Sequence, residues 1–332
     1  NIMPSPSQVS SSQTVAQNRI AILLPCYNEA ATIGSVVESF HQALPSAIIY
    51  VYDNNSTDKT KEIAQAAGAT VRTETKQGKG NVVRRMFADI DADTYLMADG
   101  DGTYDVEKAP ELVESMVLGN YDMVVGSRAA EDHLASSRFG HRAGNELLTR
   151  AVAMIFGHGF TDMLSGYRVF SRRFVKSFPA CSSGFEIETE ITIHALQLGL
   201  PVLEIETRYF DRPEGSTSKL NTYRDGLRIL GTIIMLFKDI RPLLFFGICF
   251  LLLVALSVIL AVPIISTFMD TGLVPRHPTA VLATGTMLLG FLNLGCGIIL
   301  DSVSRGRLEM KKLHYLSICN DSAPSSPISN TP

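Results

Sequence analysis

The stretch TYLMADGDGTY, residues 94–104, decides the fold class of this chain of 332 residues. It is a short apolar run that stops at Asp99, where two carboxylates flank a glycine. Such runs, bounded by turn residues, are typical of strands that are buried on both faces. Helical stretches such as 31–43 and 57–67 separate the runs, so we predict an α/β fold with a mostly parallel sheet covered by helices. The other runs are 20–24 before Pro25, 47–52 before Asp53 and 123–125 before Gly126.

Polar residues follow three of these predicted strands, in the stretches 26–29, 53–58 and 99–101. Ligands of such sheets bind at the carboxyl ends of the strands, so we expect the three stretches to form one site. Asp53 is then placed to accept hydrogen bonds from a base or a ribose. The residues after it, 54–57, are also typical of a turn and a helix cap, and the two roles are compatible.

Asp99 and Asp101 are the predicted metal ligands. Two carboxylates one residue apart on a tight turn can approach one hard cation from the same side. Proteins hold Mg²⁺ by one or two carboxylates together with substrate phosphates. Solvated acidic turns are common, but the position of this pair after a buried strand favours a metal–diphosphate site for Mg²⁺ or Mn²⁺.

A basic loop, KQGKG at 76–80, precedes a predicted helix that carries Arg84 and Arg85. Backbone N–H groups and the helix dipole favour anions at such a place. The loop lacks the spacing of a nucleotide P-loop, so we interpret it as an anion site of another kind. Lys79 is its candidate ligand for the anion.

The composition excludes several classes of protein. The chain has 29 basic and 33 acidic residues, and a net charge of −4 argues against a nucleic-acid binder, which needs a basic face. Five cysteines without a Cys-x-x-Cys pair indicate neither a zinc site nor a disulfide framework, and favour a reduced, cytosolic setting. Residues 1–18 are rich in Ser and Gln, show no secretory signal, and are predicted to form a disordered tail.

Two long segments without charge, 243–266 and 279–300, are predicted transmembrane helices. As helices they would be about 36 and 33 Å long, against about 30 Å for a hydrocarbon core. Two buried core helices are the alternative. Basic residues flank both outer ends, whereas the connecting loop has only Arg276, so the positive-inside bias places the polar domain in the cytoplasm. Thr286 and Gly290 would pack helices closely, within or between chains, which makes a homo-oligomer plausible.

The motifs PCYNE at 25–29, DNNSTD at 53–58, GKG at 78–80, DGD at 99–101 and GSR at 126–128 occur in the order seen in family 2 glycosyltransferases of the GT-A fold. The chain resembles that family. Its motifs DMLSGYR at 162–168, GFEIE at 184–188 and RPEGSTSKL at 212–220 are similar to the dolichyl-phosphate mannose synthase branch. With two C-terminal spans, it looks most like bacterial undecaprenyl-phosphate glycosyltransferases, over residues 20–312.

The resemblance implies roles for individual residues. Asp99 and Asp101 match the metal motif, and a third ligand is left open because Gly102 and Thr103 follow. Asp162 is the obvious base, yet we expect it to position groups, because a phosphate acceptor is already ionised. The remaining assignments are Pro25, Tyr27, Glu29, Asp53, Lys79, Asp99 and Gly100 for the nucleotide sugar, Arg128 and Arg142 for the acceptor phosphate, and Arg212 and Lys219 for the donor diphosphate.

Several residues keep two interpretations. Arg168 and Arg173 are either site residues or surface cations. For Glu186 and Glu188 the alternatives are a strand with one carboxylate inward and the other in solvent, and a helix on which both could be exposed. The histidines at 133, 141, 158 and 194 show no metal spacing and are interpreted as solvated or packed.

The expected reaction is an inverting, metal-dependent transfer of a sugar from a nucleotide sugar to a polyprenyl phosphate at the bacterial inner membrane. It would serve cell-envelope glycan or lipopolysaccharide modification. The stretches 52–58 and 97–104 are similar to bacterial enzymes that load galacturonic acid onto dodecaprenyl phosphate, which implies UDP-galacturonate as donor. UDP-glucose and GDP-mannose are the alternatives.

Two other functions fit the sequence less well. A processive polysaccharide synthase, which uses a sugar hydroxyl as acceptor, expects a Gln-x-x-Arg-Trp motif, and this chain has no Trp. A membrane adaptor with a decayed transferase domain is disfavoured by the intact Asp99, Asp101, Arg212 and Lys219.

The predicted organisation is a tail at 1–18, a cytosolic GT-A domain at 19–222, a juxtamembrane helix at 223–242, two membrane helices within 243–301 and a cytosolic tail at 302–332. The stretches 145–156 and 227–237 are expected to be helices that lie either at the membrane surface or against the sheet.

Overall fold

The computed structural model describes residues 18–128, 162–184, 186–210, 231 and 234–318. The strands in these ranges are β1 (Ile20–Cys26), β2 (Ile48–Asp53), β3 (Thr70–Thr73), β4 (Thr94–Met97), β5 (Met123–Arg128), β6 (Arg168–Ser171) and β7 (Val202–Thr207). The helices are α1 (Ile33–Ala43), α2 (Thr60–Ala66), α3 (Lys79–Asp89), α4 (Ala109–Gly119), α5 (Arg172–Ser177), α6 (Ile187–Leu198), α7 (Pro242–Thr271) and α8 (His277–Ser317).

The seven strands form one sheet in the order β3-β2-β1-β4-β6-β5-β7. The pairs β1–β2, β1–β4, β2–β3 and β5–β7 are parallel, whereas β6 runs antiparallel to both of its neighbours. The four strands that the apolar runs predict are all present. The predicted α/β fold with a mostly parallel sheet is therefore confirmed.

The centre of the sheet is buried on both faces, as the continuous apolar runs require. Leu23 and Leu24 of β1 and Leu96 of β4 have no exposed surface. Helix α1 packs against this sheet because its apolar side chains recur every three or four residues and so share one face. The buried residues of α1 are Ile33, Val36, Val37 and Phe40.

The carboxyl ends of the parallel strands lie at one edge of the sheet. Cys26, the last residue of β1, pairs with Asp53, the last residue of β2. Leu23 of β1 pairs with Met97, the last residue of β4. The loops that follow β1, β2 and β4 therefore begin close together, as the polar strand ends predict.

The reversed strand β6 brings a fourth segment to the same edge. Its first residue, Arg168, pairs with Met97 at the end of β4 and with Val125 of β5. Because β6 is antiparallel to β4 and β5, the residues before β6, 162–167, lie at the edge of the sheet where β4 and β5 end. The mostly parallel pattern predicted from the sequence did not foresee this reversal.

The described residues form two compact units, one of residues up to 210 with 311–318, the other of 231 and 234–310. The second unit contains α7 and most of α8. Both helices are long and apolar enough to cross a membrane, and most of their residues are exposed. They are longer than the predicted spans, since α7 reaches Thr271 and α8 continues as a helix to Ser317.

Helices α7 and α8 pack through small residues. A Cβ added at Gly290 would lie 3.5 Å from the side chains of Phe250 and Leu253, which is ordinary van der Waals contact. The Ser257 hydroxyl donates to the carbonyl of Ala283 at 2.7 Å, a hydrogen bond that joins the two helices. The small-residue stripe around Gly290 is therefore used within the chain.

The last residues of α8 belong to the first unit. The Tyr315 hydroxyl donates to Asp122 at 2.6 Å, and the Arg173 guanidinium lies 5.1 Å from the centre of the Tyr315 ring. Asp122 precedes β5 and Arg173 follows β6, so this contact lies at the edge opposite the strand ends. Arg173, for which a site role and a surface role were both open, packs on Tyr315 away from that edge.

His194 of α6 is buried among aromatic rings. It makes edge contacts to Phe174 and Phe178, each with ring centres 5.3 Å apart. Its Nε2 lies 3.3 Å from the Ser177 hydroxyl. Burial, with a smaller effect of the charge on Lys311, lowers the pKa of His194 to about 4. The interpretation of His194 as packed is confirmed.

We expect stability to fall as the pH drops from about 6.5 towards 4. In that window His194 is protonated in the unfolded chain but not in the folded chain. The free energy of unfolding therefore falls by about 1.4 kcal/mol for each pH unit. The measurement is the thermal unfolding midpoint in detergent at pH 7 and pH 5, for the wild type and for His194→Leu. The variant should lose less stability between the two pH values. Equal losses in both proteins would contradict the assignment.

Candidate active site

The loops after β1 and β2 are tied to each other by side chains. Asn28, with a left-handed φ of 54°, accepts from the backbone N–H of Thr57 at 2.8 Å, and its own N–H donates to the Ser56 hydroxyl at 2.9 Å. The N–H of Glu29 donates to the Thr60 hydroxyl at 2.9 Å. The DNNSTD motif thus has a structural role in addition to any ligand role. Pro25, Tyr27 and Glu29, predicted to bind the nucleotide sugar, are half-buried at this junction.

Asp53, at the end of β2, carries a buried acceptor. Its side chain has no exposed surface, and Oδ2 accepts from the N–H of Ser56 at 3.1 Å and lies 3.4 Å from the Lys61 ammonium. Its Oδ1 accepts no hydrogen bond from the residues that the structure describes. Buried polar atoms of native proteins are almost always satisfied, so this oxygen is suited to an N–H or O–H group of a ligand.

Asn54 positions the basic loop. Its amide donates to the carbonyls of Glu74 and Lys76 at 2.9 and 2.8 Å, and its carbonyl accepts from the N–H of Gly78 at 2.7 Å. Gly78 has a φ of +126°, and a Cβ there would overlap the carbonyl of Ser183. Only glycine fits both conditions. Helix α3 begins at the next residue, Lys79.

Lys79 joins the ends of two elements. Its ammonium contacts Asp99, which follows β4, and Glu188, in the first turn of α6, with 2.6 Å between Nζ and Oε1 of Glu188. Burial alone would lower the pKa of Lys79, but the two carboxylates outweigh burial and raise it. Burial raises the pKa of Glu188. The expectation that a helical Glu188 is exposed is wrong, because this carboxylate faces Lys79.

The DGD turn packs tightly on β1. A Cβ at Gly100 would lie 2.5 Å from the Cys26 sulfur, and the Gly100 carbonyl accepts from the Thr32 hydroxyl at 2.7 Å. Asp101 is buried, and its Oδ1 accepts from the Thr103 hydroxyl at 2.7 Å. Thr103, which follows the motif, therefore acts here as a hydrogen-bond donor to Asp101.

Tyr104 and Gly166 connect the DGD turn to the loop before β6. The Tyr104 hydroxyl donates to Asp99 Oδ2 at 3.3 Å and accepts from the N–H of Gly166 at 3.0 Å. Its ring stacks on Tyr167, with centres 5.2 Å apart. A Cβ at Gly166 would lie 2.9 Å from both Asp99 Oδ2 and the Tyr104 hydroxyl. The loop backbone thus passes directly over the predicted metal ligand.

Arg128 and Asp162 form a two-bond ion pair. The guanidinium Nε and Nη2 donate to the two carboxylate oxygens at 2.7 and 2.8 Å, and Asp162 is 2% exposed. Arg128 also lies over the ring of Tyr209, which packs against Tyr104. A predicted acceptor ligand and the predicted positioning residue are therefore in direct contact.

Arg168 is fully buried and is not a surface cation. Its guanidinium donates to the carbonyls of Ser165 and Met163 at 2.8 and 2.7 Å and to the Thr192 hydroxyl at 2.8 Å. Burial lowers its pKa. These bonds hold the loop before β6 in place, so Arg168 supports the site without forming its surface.

Three predicted site residues, Arg142, Arg212 and Lys219, lie outside the described residues, as does the stretch 145–156. Sequence reasoning missed three residues of the site, namely Tyr104, Gly166 and the buried carboxylate of Glu188. Each of them lies inside or beside one of the sequence motifs quoted above, and this proximity to a motif was the only sequence signal for them. Contacts between distant motifs could not be inferred from it.

The donor set fits a divalent cation that is bound together with a diphosphate. The Asp99 side chain is 29% exposed at the end of β4, and Asp101 follows on the same turn. Within the described ranges no group of three or more His, Cys, Asp or Glu residues could hold a metal ion alone. Two carboxylates with the remaining ligands from phosphate and water are the usual Mg²⁺ arrangement.

Comparison with known proteins identifies the family. Residues 21–178 match the profile of Glycosyl transferase family 2. The chain is 34% identical over 299 residues to Glycosyltransferase AglJ of Haloferax volcanii, covering 90% of this chain and 98% of AglJ. It is 26% identical over 215 residues to a dolichyl-phosphate hexose transferase of the same organism, covering 65% and 92%. The chain belongs to glycosyl transferase family 2.

Solved structures share the fold. Glucosyl-3-phosphoglycerate synthase of Mycobacterium tuberculosis, in complex with Mn²⁺, UDP-glucose and phosphoglyceric acid, superimposes with a TM-score of 0.53 at 22% identity, covering 71% of this chain and 85% of that one. The same enzyme has been solved with Mg²⁺ and UDP. The fold of this chain is thus GT-A-like, as its resemblance implied.

We expect Gly166→Ala to fold and to lower the turnover of glycosyl transfer by about tenfold or more. The added methyl would collide with Asp99 and Tyr104, and displacements below 1 Å at a reacting centre are costly. The measurement is kcat in full-length protein, with Gly306→Ala as control, because nothing lies within 4 Å of a Cβ at Gly306. Equal turnover in the two variants would exclude this placement of the loop.

Proposed function

We propose that this protein transfers a hexose from a nucleotide sugar to a polyprenyl phosphate, with inversion. The observation that carries the proposal is the convergence of Asp53, Asp99 and Arg128 at one edge of the sheet, in a chain with two apolar helices. The match to a dolichyl-phosphate hexose transferase over most of that protein supports a lipid-phosphate acceptor.

The donor would bind along the ends of β1, β2 and β4. The buried Oδ1 of Asp53 would accept an N–H from the base, while Pro25, Tyr27 and Glu29 border the same junction. We propose a UDP-sugar, because the structurally similar glucosyl-3-phosphoglycerate synthase binds UDP-glucose. The similarity of the motifs to those of galacturonate-transferring enzymes favours UDP-galacturonate as the donor, with UDP-glucose and GDP-mannose as alternatives.

Asp99 and Asp101 would hold Mg²⁺ or Mn²⁺. When bound, the ion would neutralise charge that develops on the leaving diphosphate. Arg212 and Lys219 are proposed to add positive charge at the same phosphates. Gly100 allows the turn to approach β1 closely, and Lys79 anchors the Asp99 carboxylate.

The acceptor phosphate would be held by Arg128, with Arg142 as a second cation. A guanidinium pairs well with phosphate oxygens, and Asp162 fixes the orientation of Arg128 through two hydrogen bonds. The second pKa of a phosphate monoester is about 6, so the nucleophile is already ionised at pH 7. Positioning then replaces deprotonation as the task of the site.

We propose that α7 and α8 cross the bacterial inner membrane with the catalytic domain in the cytoplasm. The basic residues at both outer ends of the helix pair, against Arg276 alone in the connection, support this orientation. The polyprenyl phosphate would then present its phosphate on the cytoplasmic side of the membrane. The product would supply cell-envelope glycan or lipopolysaccharide modification.

The reaction is tested with full-length protein in membranes, undecaprenyl phosphate and radiolabelled UDP-galacturonate, UDP-glucose or GDP-mannose. One donor should label the lipid, and Asp99→Asn or excess EDTA should reduce labelling at least about a hundredfold. Asp91→Asn is the control, because Asp91 is exposed and pairs only with Arg19 and Arg172 in the described structure. Labelling that persists in EDTA would exclude the metal, and no labelling with any donor would exclude the function.

The second test is the pH dependence of the rate. We expect the wild-type rate to fall as the pH drops through about 6, following protonation of the acceptor phosphate. Asp162→Asn should raise the KM for the acceptor, since Arg128 loses its orientation, and should keep the same acidic limb. Loss of that limb, or rescue by an added external base, would show that Asp162 removes a proton and that the mechanism is wrong.

A further inference from the structure

Lys79 is a buried cation between two carboxylates from distant parts of the chain. Its side chain is 9% exposed, and its ammonium touches Asp99 at the end of β4 and Glu188 in α6. A Cβ at Gly166 would lie 3.2 Å from Nζ, so the ammonium lies beneath the loop that covers the site. The buried ammonium therefore belongs to the candidate active site and not to the apolar core.

The contact with Asp99 has a consequence for the metal. Lys79 binds Oδ1 of Asp99, the carboxylate that the proposed function gives to a divalent cation. Two cations that approach one carboxylate repel each other, and in a partly buried site this repulsion is weakly screened. A divalent ion that takes this oxygen must displace the ammonium or accept it as a close neighbour.

Glu188 and the donor make that displacement feasible. Glu188 is 8% exposed and keeps the ammonium paired when Asp99 turns to another cation. A buried charge without a counter-charge is strongly unfavourable, so this second carboxylate lowers the cost of the exchange. A nucleoside diphosphate brings further negative charge, which balances the lysine and the metal together.

We propose that Lys79 is the internal counter-cation of the metal site, which competes with the divalent ion for Asp99 and so makes metal binding depend on the nucleotide diphosphate. Glu188 is the positioning residue that holds Lys79 during the exchange. This inference rests on the proposed metal-dependent donor binding. It adds an order to that binding, since the metal alone binds weakly and the metal with the diphosphate binds tightly.

The test measures Mn²⁺ binding by electron paramagnetic resonance, in full-length protein in detergent, without nucleotide and with UDP or GDP. In the wild type, nucleotide should tighten Mn²⁺ binding by about tenfold or more. Lys79→Gln should bind Mn²⁺ without nucleotide about tenfold tighter than the wild type and should gain less from UDP than the wild type does. Glu188→Gln should bind Mn²⁺ more weakly than the wild type, because Lys79 then loses the Glu188 carboxylate and is drawn more strongly to Asp99.

Lys108→Gln is the matched control, since the Lys108 side chain is 41% exposed, pairs with Glu111 and has no place in the proposed site. It should behave as the wild type. A purely structural Lys79 would give a Gln variant with equal or weaker Mn²⁺ affinity, and that result overturns the proposal. Equal Mn²⁺ affinity with and without nucleotide in the wild type overturns it as well, whether or not the variants fold.

These outcomes are independent of the proposed function. Wild-type protein that labels lipid in a metal-dependent way, with no effect of Lys79→Gln on Mn²⁺ binding, excludes the counter-cation and leaves the transferase. Wild-type protein that binds Mn²⁺ only with UDP or GDP, but labels no lipid, leaves the counter-cation and excludes the acceptor.

Discussion

The arrangement of the site depends on the hydrogen bonds that the buried guanidinium of Arg168 donates. It lies at the start of the reversed strand β6 and donates to carbonyls of the loop that precedes it. A buried cation of this kind is retained only when its donors are satisfied, and here backbone carbonyls and the Thr192 hydroxyl satisfy them. The loop is therefore fixed at the edge where β4 ends. Gly166 meets Asp99 and Tyr104 there, and Asp162 meets Arg128.

Opposite charges alternate along this edge of the sheet. Asp53 has Lys61, Asp99 and Glu188 share Lys79, and Asp162 has Arg128. Such pairs contribute little net stability when buried, because desolvation offsets their attraction. In the proposed reaction their value would be pre-organisation, since a site for a diphosphate and an acceptor phosphate needs cations in fixed places before the ligands arrive. The carboxylates keep those cations in place.

The sequence predicted the elements well and their contacts poorly, for physical reasons that differ between residues. Apolar runs that end in turn residues mark buried strands, so β1, β2, β4 and β5 and the polar edge could be inferred from local pattern. Glu188 could not, because its burial depends on Lys79, which is 109 residues away. Arg168 kept two interpretations because charged side chains are seldom fully buried, and its partners Ser165, Met163 and Thr192 could not be inferred from local pattern. The length of α8 was not predicted because charged residues begin at Asp301, where an uncharged membrane span ends although the helix continues.

The geometry of Asp162 bears on how a transferase can work without a base. A general base must offer an oxygen to the proton that it removes, within hydrogen-bond distance of the nucleophile. Both oxygens of Asp162 already accept from one guanidinium, and one of them also accepts from the backbone N–H of Leu164 at 3.3 Å. Proton uptake would break that pair and leave Arg128 with an uncompensated charge in a mostly buried place. An acceptor that is itself an anion avoids this cost, because it binds the guanidinium and needs no proton removed. The ion pair of Arg128 and Asp162 is therefore compatible with the phosphate nucleophile of the proposed reaction.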